Sequence, residues 1–353
     1  MERAKALVLL SGGLDSMLAA RVLMEQGVEV VGITFISNFF GATNGLAAAK
    51  QLGIPLIAYN IAVEHLAMVK NPRYGYGKNM NPCIDCHSMM LAEAKQIMEG
   101  KEVVLFYPDG SIKAIAAVYD FIATGEVLGQ RPMSQTKPSL KIVAKFSGLN
   151  EKLVRPLSAK LLDLTEAEKT GKINREGLLD INGRGRSRQV ELAKQYGLAN
   201  YPSPAGGCLL TVPDFGVKLK EMFKYWPDCN GKDVELLKQG RQFWLGKEDN
   251  KTLVVVGRDE KDNEKLLKLK GASDLILKLI DEVGPIVLVR SKKLEFRSKN
   301  EKQEILVPEK ISSEKIILEK IESEKEIIDM ASMLTGFYAK KLVGKTVNVE
   351  ITT

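Results

Sequence analysis

The chain has 353 residues, of which 45% are hydrophobic and 27% are charged, and its formal net charge is +7. This length allows about two domains of roughly 150 residues each. No apolar run approaches the ~20 residues of a membrane-spanning helix, and the first apolar run is too short for a signal peptide. We therefore expect a cytoplasmic protein without a membrane segment. The four cysteines are too few for a disulfide scaffold.

A glycine-rich turn joins the first predicted strand, residues 6–10, to the first predicted helix, residues 16–26. Such a turn points several backbone N–H groups at one spot with a helix N-terminus behind it, and that arrangement binds phosphate. Glycines let the backbone approach the anion closely, hydroxyls add donors, and a carboxylate can hold Mg²⁺ or cap the helix. The residues in these roles are Ser11, Gly12, Gly13, Asp15 and Ser16.

The first third of the chain alternates strand and helix. Residues 28–36 and 54–61 read as strands, with a short helix over residues 46–52 between them. This βαβ rhythm predicts an α/β fold with a parallel sheet covered by helices. Residues 103–118 read as an inserted hairpin. Residues 120–124 are predicted to form a further core strand. The polar loop at its carboxyl end, which begins with Thr124 and Gly125, is a second candidate site loop.

The cysteines fall into one close pair and two distant single residues. Cys83 and Cys86 form a Cys-x-x-Cys element after Asn-Pro, ahead of a helix predicted over residues 88–98. Cys208 follows two glycines, which allow close approach of backbone or ligand. The residues around Cys229 are typical of a surface turn. Three thiolates can hold an iron–sulfur cluster with one iron open. Sulfur relay through a persulfide, a redox pair and half of a zinc site are the alternatives.

Residues 131–188 carry the whole net charge of the chain. They contain thirteen lysines and arginines against six acidic residues, so the remaining residues sum to zero. Charge confined to one segment is typical of a surface that binds a polyanion, and an ordinary solvated face is the alternative. The candidate phosphate contacts are Arg131, Lys137, Lys141, Lys145, Arg184, Arg186 and Arg188.

The composition changes at residues 201–208, which are rich in Pro and Gly. We predict a first domain over residues 1–207 and a smaller α+β domain over residues 208–353. In the second domain, strands are predicted over residues 253–258, 286–290 and 346–351, and helical pieces over 266–269 and 275–280. A charged amphipathic helix is predicted over residues 313–343, with Ile317, Ile321, Ile328, Leu334 and Phe337 near one face.

The turn at Ser11–Ser16 resembles the PP-loop of N-type ATP pyrophosphatases, which cleave ATP between its α- and β-phosphates. Together with Asn-Pro-Cys-x-x-Cys and a distant third cysteine, it resembles the tRNA thiouridine synthetases, and residues 123–135 and 202–211 resemble a 4-thiouridine-synthetase-like branch. This likeness covers about residues 5–212. Residues 253–258 and 331–340 weakly resemble the RNA-binding domain of the NFACT family.

The resemblance implies a sheet of the adenine nucleotide α-hydrolase type and an ATP-dependent sulfurtransferase. Its substrate would be tRNA, and its cofactors would be ATP, Mg²⁺ and a [4Fe–4S] cluster on Cys83, Cys86 and Cys208. The adenine would lie near Thr34, and Thr124 and Gly125 would face the nucleotide or the flipped base. Sulfide, a cysteine desulfurase or a carrier protein would donate sulfur, and the oligomeric state, including a homodimer, is left open.

Two other functions fit the same residues. One is a PP-loop ligase that activates a small molecule. The other is a thiolation enzyme that carries sulfur as a cysteine persulfide without a cluster. The position of the modified uridine and the choice between its C2 and C4 carbonyls are not fixed by the sequence.

Overall fold

The computed structural model describes residues 3–203, 207–294, 296, 300–311, 321, 323–339 and 341–353. The chain divides into two compact units, Met1–Pro213 and Asp214–Thr353. The boundary predicted after residue 207 lies a few residues before this division. Within the described residues, no helix is long and apolar enough to cross a membrane.

The first unit alternates strands and helices over most of its length. Its strands are β1 (Lys5–Leu9), β2 (Glu29–Ile36), β3 (Leu56–Asn60), β4 (Val103–Phe106), β5 (Ile112–Ile115), β6 (Phe121–Thr124) and β7 (Leu153–Val154). Its helices are α1 (Leu14–Glu25), α2 (Thr43–Leu52), α3 (Ala62–Lys70), α4 (Cys83–Met98), α5 (Lys137–Phe146), α6 (Glu166–Lys169) and α7 (Ser187–Gln195).

These strands form one sheet in the order β5-β4-β3-β2-β1-β6-β7. The neighbours from β3 to β7 run parallel, and the predicted hairpin of β4 and β5 extends the sheet antiparallel at one edge. Alternate residues of β1 enter different cores: Ala6 and Val8 pack with α1 and α2, whereas Leu7 packs with α4 and α5. The predicted α/β class with a parallel sheet is therefore confirmed. Because parallel strands end at a common edge, the loops after β1, β2 and β6 meet there.

Two helical predictions for this unit were wrong. Helix α4 begins at Cys83, not at Ser88, so both cysteines of the Cys-x-x-Cys element lie in its first two turns. Residues 136–200, predicted to be broadly helical, contain α5, α6 and α7 separated by irregular segments. Cys and Asp have modest helix propensity, so propensity gave no signal for the start of α4.

The second unit contains an antiparallel sheet and four helices in its described residues. Its helices are α8 (Pro213–Tyr225), α9 (Gly231–Leu236), α10 (Glu260–Leu269) and α11 (Glu324–Phe337). Its strands are β8 (Arg241–Leu245), β9 (Thr252–Val256), β10 (Leu275–Leu279), β11 (Val287–Ser291), β12 (Asn300–Leu306) and β13 (Thr346–Thr352).

The strand order of this second sheet is β12-β13-β10-β11-β9-β8. One face packs on α11 through Ile327, Ile328, Ala331 and Leu334. This confirms the predicted α+β character of the smaller domain. The helix predicted over residues 275–280 is instead strand β10, which lies between β13 and β11. Short apolar runs cannot be assigned by periodicity alone, so the packing of neighbouring strands decided this case.

The long helix predicted over residues 313–343 is described only in part. Helix α11 begins after Ser323, which forms a capping box with Glu326. The predicted core positions Ile321, Ile328 and Leu334 are buried, and Phe337 is partly exposed. Ile317 lies outside the described residues.

A buried ion network ties β11 to the helices of the second unit. Arg290 contacts Asp274 at 2.6 Å and Asp233 at 3.0 Å, and all three side chains are almost fully buried. Arg290 also donates to the carbonyl oxygen of Leu269 at the end of α10. Burial would lower the pKa of Arg290, but hydrogen bonding and charge from Asp274 and Asp233 raise it.

We predict that Arg290→Ala destabilises the second unit by about 3–5 kcal/mol, because it leaves the buried carboxylate of Asp274 without its cation, whereas Asp233 keeps its pair with Lys292. Both tryptophans of the chain, Trp226 and Trp244, lie in this unit, so their fluorescence during denaturant unfolding reports on it alone. Lys278→Ala is the matched control, because it removes one cation from an exposed pair with Glu350 and is expected to cost under about 1 kcal/mol. Equal midpoints for the two variants would contradict the prediction.

Candidate active site

The turn between β1 and α1 is built for close approach of an anion. Gly12 adopts a left-handed conformation with φ of 82°, and Gly13 is the N-cap of α1 without a side-chain cap. The Gly13 N–H donates to Ser11 Oγ at 3.3 Å, and Ser16 Oγ donates to the Gly13 carbonyl at 2.7 Å. The first N–H groups of α1 have no partner within the helix. The turn therefore presents unused donors at the positive end of the helix.

Asp15 stands at the same helix end with one oxygen engaged and one unengaged. Its Oδ2 accepts from Gln130 Nε2 at 3.1 Å and lies 3.6 Å from Arg186. Its Oδ1 is buried and has no hydrogen-bond partner among the described residues. A buried, unpartnered carboxylate oxygen beside an anion-binding turn suits a hard cation such as Mg²⁺.

Two glycines allow the start of α2 to press against this turn. A Cβ on Gly12 would overlap the backbone of Asn44, and a Cβ on Gly45 would lie 2.6 Å from Thr34 Oγ1. Thr34 is buried near the end of β2. Asn44 and Gly45 were not among the predicted site residues, because this helix was predicted to begin at Leu46. An Asn-Gly pair directly after a strand and loop was the available signal.

A third glycine brings the loop after β6 onto the same turn. A Cβ on Gly125 would lie 2.5 Å from the carbonyl carbon of Asp15 and from the backbone nitrogen of Ser16. The predicted site residues Gly125 and Ser16 are thus in direct backbone contact. Thr124, predicted to face the nucleotide or base, is buried, and its hydroxyl donates to Glu126 Oε2 at 3.0 Å.

Glu126 is the centre of a buried network that the sequence analysis did not identify. Its Oε2 accepts from Arg155 Nε at 2.8 Å, and its Oε1 contacts His87 Nδ1 at 3.0 Å. Burial alone would raise the pKa of Glu126, but Arg155 and His87 hold it well below its usual value. Glu126 therefore joins the loop that packs on Ser16 to the residue that follows Cys86.

The three cysteines predicted to form a site share one electrostatic environment. Burial raises the pKa of Cys86 well above its usual value, and the charges of Cys208, Cys83 and Asp85 raise it further. Burial also raises the pKa of Cys208 to about 11, although Arg131 acts in the opposite direction. Cys229 is buried in the second unit, in keeping with its exclusion from the predicted set.

Hydrogen bonds hold the Cys208 segment in the first unit. The Leu209 N–H donates to the Phe39 carbonyl at 3.0 Å, and Asn79 Nδ2 donates to the Thr211 carbonyl at 2.7 Å. Asn79 belongs to the loop that leads into Cys83. These contacts hold the segment that begins with Cys208 beside the loop that precedes the Cys-x-x-Cys element.

His65 is a further residue beside these cysteines, and no sequence pattern singled it out. It is fully buried on α3, and its Nε2 lies 3.1 Å from Cys86 Sγ. The rings of Phe39 and Phe40 pack against it at centroid distances of 5.5 and 5.1 Å. Burial lowers the pKa of His65 to about 4, so the imidazole is neutral at pH 7.

The donor chemistry of the cysteines fits an iron–sulfur cluster, because soft thiolates are its usual ligands. Cys83 and Cys86 share one helix, and the hydrogen bond from Asn79 to the Thr211 carbonyl joins the loop before that helix to the Cys208 segment. In the described part of the chain, no group of three or more His, Cys, Asp or Glu side chains is arranged so that it could hold a metal ion.

The cations of residues 131–188 divide into two groups. Lys137 and Lys141 pair with Asp163 on the surface, and Arg188 pairs with Asp180. The second group lies at the site itself: Arg186 faces Asp15, and Arg155 contacts Glu126. Arg131 is exposed, and its charge lowers the pKa of Cys208. Arg184 is exposed.

Residues 2–163 match the family described as "Thiamine biosynthesis protein (ThiI)". This match confirms the predicted resemblance to the PP-loop thiouridine synthetases for that segment. The chain is also 26% identical over 252 residues to the tRNA-specific 2-thiouridylase MnmA of Carboxydothermus hydrogenoformans, with 66% of this chain and 60% of that protein covered. It is 30% identical over 180 residues to MnmA of Bacillus cytotoxicus, with 40% of this chain and 47% of that protein covered. The chain thus spans about half to three fifths of the length of these two relatives.

Two solved structures overlap the chain. One is a 4-thiouridine synthetase–RNA complex with bound ATP, with 19% identity and a TM-score of 0.34 over 67% of this chain and 52% of that one. The other is a predicted subunit of a tRNA methyltransferase from Methanocaldococcus jannaschii, with 14% identity and a TM-score of 0.30 over 59% of this chain and 96% of that one.

We predict that Gly125→Ala weakens ATP binding at least tenfold, because the added methyl group would displace the backbone of Asp15 and Ser16. Isothermal titration with ATP and Mg²⁺ measures the effect. Gly185→Ala is the matched control, because a Cβ there meets nothing within 4 Å. Unaltered ATP affinity in Gly125→Ala would show that the PP-loop tolerates the displacement or does not bind ATP.

Proposed function

We propose that this protein is an ATP-dependent tRNA sulfurtransferase that adenylates a uridine carbonyl and replaces its oxygen with sulfur. The observation that carries the proposal is the continuous set of contacts from the PP-loop to the cysteines. Gly125 packs on Asp15 and Ser16, Glu126 follows it, and Glu126 holds His87 directly after Cys86. The proposed ATP-binding turn is thus joined by direct contacts to the helix that carries Cys83 and Cys86, which supports the coupling of activation to sulfur transfer.

In the first step, the uridine carbonyl oxygen attacks the α-phosphorus of ATP. A bond forms between that oxygen and phosphorus, and the bond to the β-phosphate oxygen breaks, which releases pyrophosphate. The backbone N–H groups behind Gly12 and Gly13, with the Ser16 hydroxyl, would stabilise the leaving pyrophosphate. Asp15 would hold Mg²⁺ through its unpartnered oxygen, and Arg186 stands where it can neutralise phosphate charge.

In the second step, a sulfur nucleophile adds to the activated carbon and AMP leaves with the original oxygen. Adenylation is needed because a carbonyl oxygen is a poor leaving group, whereas AMP is a good one. Cys83, Cys86 and Cys208 would hold a [4Fe–4S] cluster, whose chemistry when bound is to present sulfide at an iron that has no protein ligand. Sulfide, a cysteine desulfurase or a carrier protein would supply the sulfur. Without a cluster, the terminal sulfur of a cysteine persulfide received from a cysteine desulfurase would add to that carbon. A second cysteine would then attack the S–S bond and release the thiouridine, and an external thiol would reduce the resulting disulfide.

The substrate is proposed to be tRNA for two reasons: the first unit contains a positively charged segment, which suits a polyanion, and the relatives are named as tRNA-specific enzymes. The uridine must leave its base stack to reach the PP-loop. Arg131, Lys137, Arg184 and Arg188 are proposed to contact phosphates. The second unit is proposed to assist RNA binding, since two runs with NFACT-like character form β9 and much of α11.

Pyrophosphate exchange tests the reaction class. We expect labelled pyrophosphate to enter ATP only when tRNA is present, because the reverse of the first step needs adenylated RNA. Asp15→Ala is expected to lower this exchange about 100-fold or more, since it removes the cation ligand beside the leaving group. Asp180→Ala, which removes a surface carboxylate paired with Arg188, is the control and should retain exchange. Exchange supported by a small carboxylate without tRNA would favour a small-molecule ligase.

Metal and sulfide analysis after anaerobic purification tests the cofactor. We expect about four irons and four sulfides per chain, with absorption near 400 nm, and loss of iron when Cys83, Cys86 or Cys208 is replaced by Ala. Cys229→Ala removes a buried cysteine of the second unit and should retain full iron content. Stoichiometric zinc, or full sulfur-transfer activity in iron-free protein, would refute the cluster and leave the persulfide route.

A further inference from the structure

An exposed group of one arginine and two aromatic rings lies beside the cysteine site. The rings of Tyr74 and Phe146 meet edge to face at a centroid distance of 5.6 Å. The guanidinium of Arg73 stands 4.3 Å from the Phe146 centroid and 5.8 Å from that of Tyr74. We call Arg73, Tyr74 and Phe146 the arginine–aromatic platform.

The platform is not part of a described hydrophobic core. Tyr74 is 38% exposed and Phe146 is 41% exposed, and neither ring belongs to a core cluster of the described residues. Phe146 is the last residue of α5, whose core contacts are made by Leu140 and Val143. More than a third of each aromatic side chain is therefore open to solvent at the surface.

The platform is fixed relative to the cysteines. The Asp85 carboxylate, between Cys83 and Cys86, accepts the N–H groups of Arg73 and Tyr74 at 3.1 and 3.0 Å. The Tyr76 hydroxyl donates to the Val69 carbonyl at 2.7 Å and anchors the same loop to α3. On the other side, α5 packs against α4, which carries the cysteines. The platform therefore stands at a set position next to the proposed sulfur-transfer site.

We propose that the arginine–aromatic platform stacks an unpaired base of the substrate RNA next to the reacting uridine. This inference rests on the proposed function. Aromatic rings and arginine guanidinium planes are the groups on which proteins stack single-stranded bases. When a uridine leaves the stack, its neighbour loses a stacking partner, and the platform supplies a replacement.

The chemistry of the platform favours RNA over an apolar protein partner. An apolar surface docked here would bury the Arg73 guanidinium without a compensating carboxylate, which is costly. A nucleotide offers an aromatic face to the rings and a phosphate to the cation. Lys145, exposed and adjacent to Phe146 in sequence, adds a second cation for the phosphate backbone.

Equilibrium binding of an unmodified tRNA transcript over a range of salt concentrations tests the inference. The double variant Tyr74→Ala, Phe146→Ala is expected to raise the Kd about tenfold or more, because stacking on aromatic rings contributes that much per base. The dependence of log K on log salt should keep its slope, because no phosphate contact is lost. Lys145→Ala should instead make that dependence shallower, with the magnitude of the slope reduced by about one, because one phosphate contact is lost.

Three controls accompany these variants. Tyr74→Phe keeps the ring and should bind as the wild type does. Ile112→Ala removes an exposed apolar side chain from edge strand β5 and should have no effect on the Kd. ATP binding should be equal in all variants, which shows that each one folds.

The outcomes separate this inference from the proposed function. Unchanged tRNA affinity in the double variant, with normal binding by the wild type, would overturn the stacking platform alone. Unchanged affinity with slower sulfur delivery from a donor protein would assign the surface to that protein instead. A wild-type protein that binds no tRNA would overturn the proposed function, and the platform with it.

Discussion

Close backbone contact at the PP-loop is the constraint on which the rest of the first unit depends. Three segments converge there: the turn after β1, the start of α2 and the loop after β6. Each contact leaves no room for a Cβ, because Gly12 lies on Asn44, Gly45 lies on Thr34 and Gly125 lies on Asp15. The parallel sheet brings these strand ends to one edge, but only glycines let their loops touch. The geometry of the anion site and the position of its neighbours are therefore set by the same contacts.

The network around Glu126 extends this constraint to the cysteines. Arg155 and His87 both act on the Glu126 carboxylate, which keeps it ionised despite its burial. A lone carboxylate there would be strongly unfavourable, so the cation is required wherever the carboxylate is kept. Because Glu126 follows Gly125, the position of His87, and with it the first turns of α4, is coupled to the PP-loop. Activation and sulfur chemistry are linked through side chains that touch neither ATP nor sulfur in the proposed mechanism.

The sequence predicted those parts of the site that local pattern determines. The glycine turn at Ser11–Ser16 and the parallel βαβ pattern of the first third follow from motif and periodicity, and the fold class is confirmed. Cys83, Cys86 and Cys208 remain a predicted set. Residues that meet only through tertiary packing could not be found in this way. His65 precedes Cys86 by a full loop and lies on another helix. Arg155 meets Glu126 because it directly follows β7, which pairs with β6. Strand β10 was misassigned for a related reason, since five mostly apolar residues fit a helix or a buried strand until their neighbours are known.

The positive charge of residues 131–188 is a second case, because composition does not show which cations are paired with carboxylates in the fold. The excess of residues 131–188 predicted a surface for a polyanion, yet most of those cations have carboxylate partners, and three of these partners lie outside the segment: Asp15, Asp120 and Glu126. Exposed pairs such as Lys141 with Asp163 are weak and open at little cost, so phosphates can still compete for these lysines. Arg155 differs, because its partner is buried and could not be left alone. The electrostatic attraction of RNA is thus expected to come from the exposed cations, whereas Arg155 and Arg186 act within the site, where specific geometry matters more than net charge.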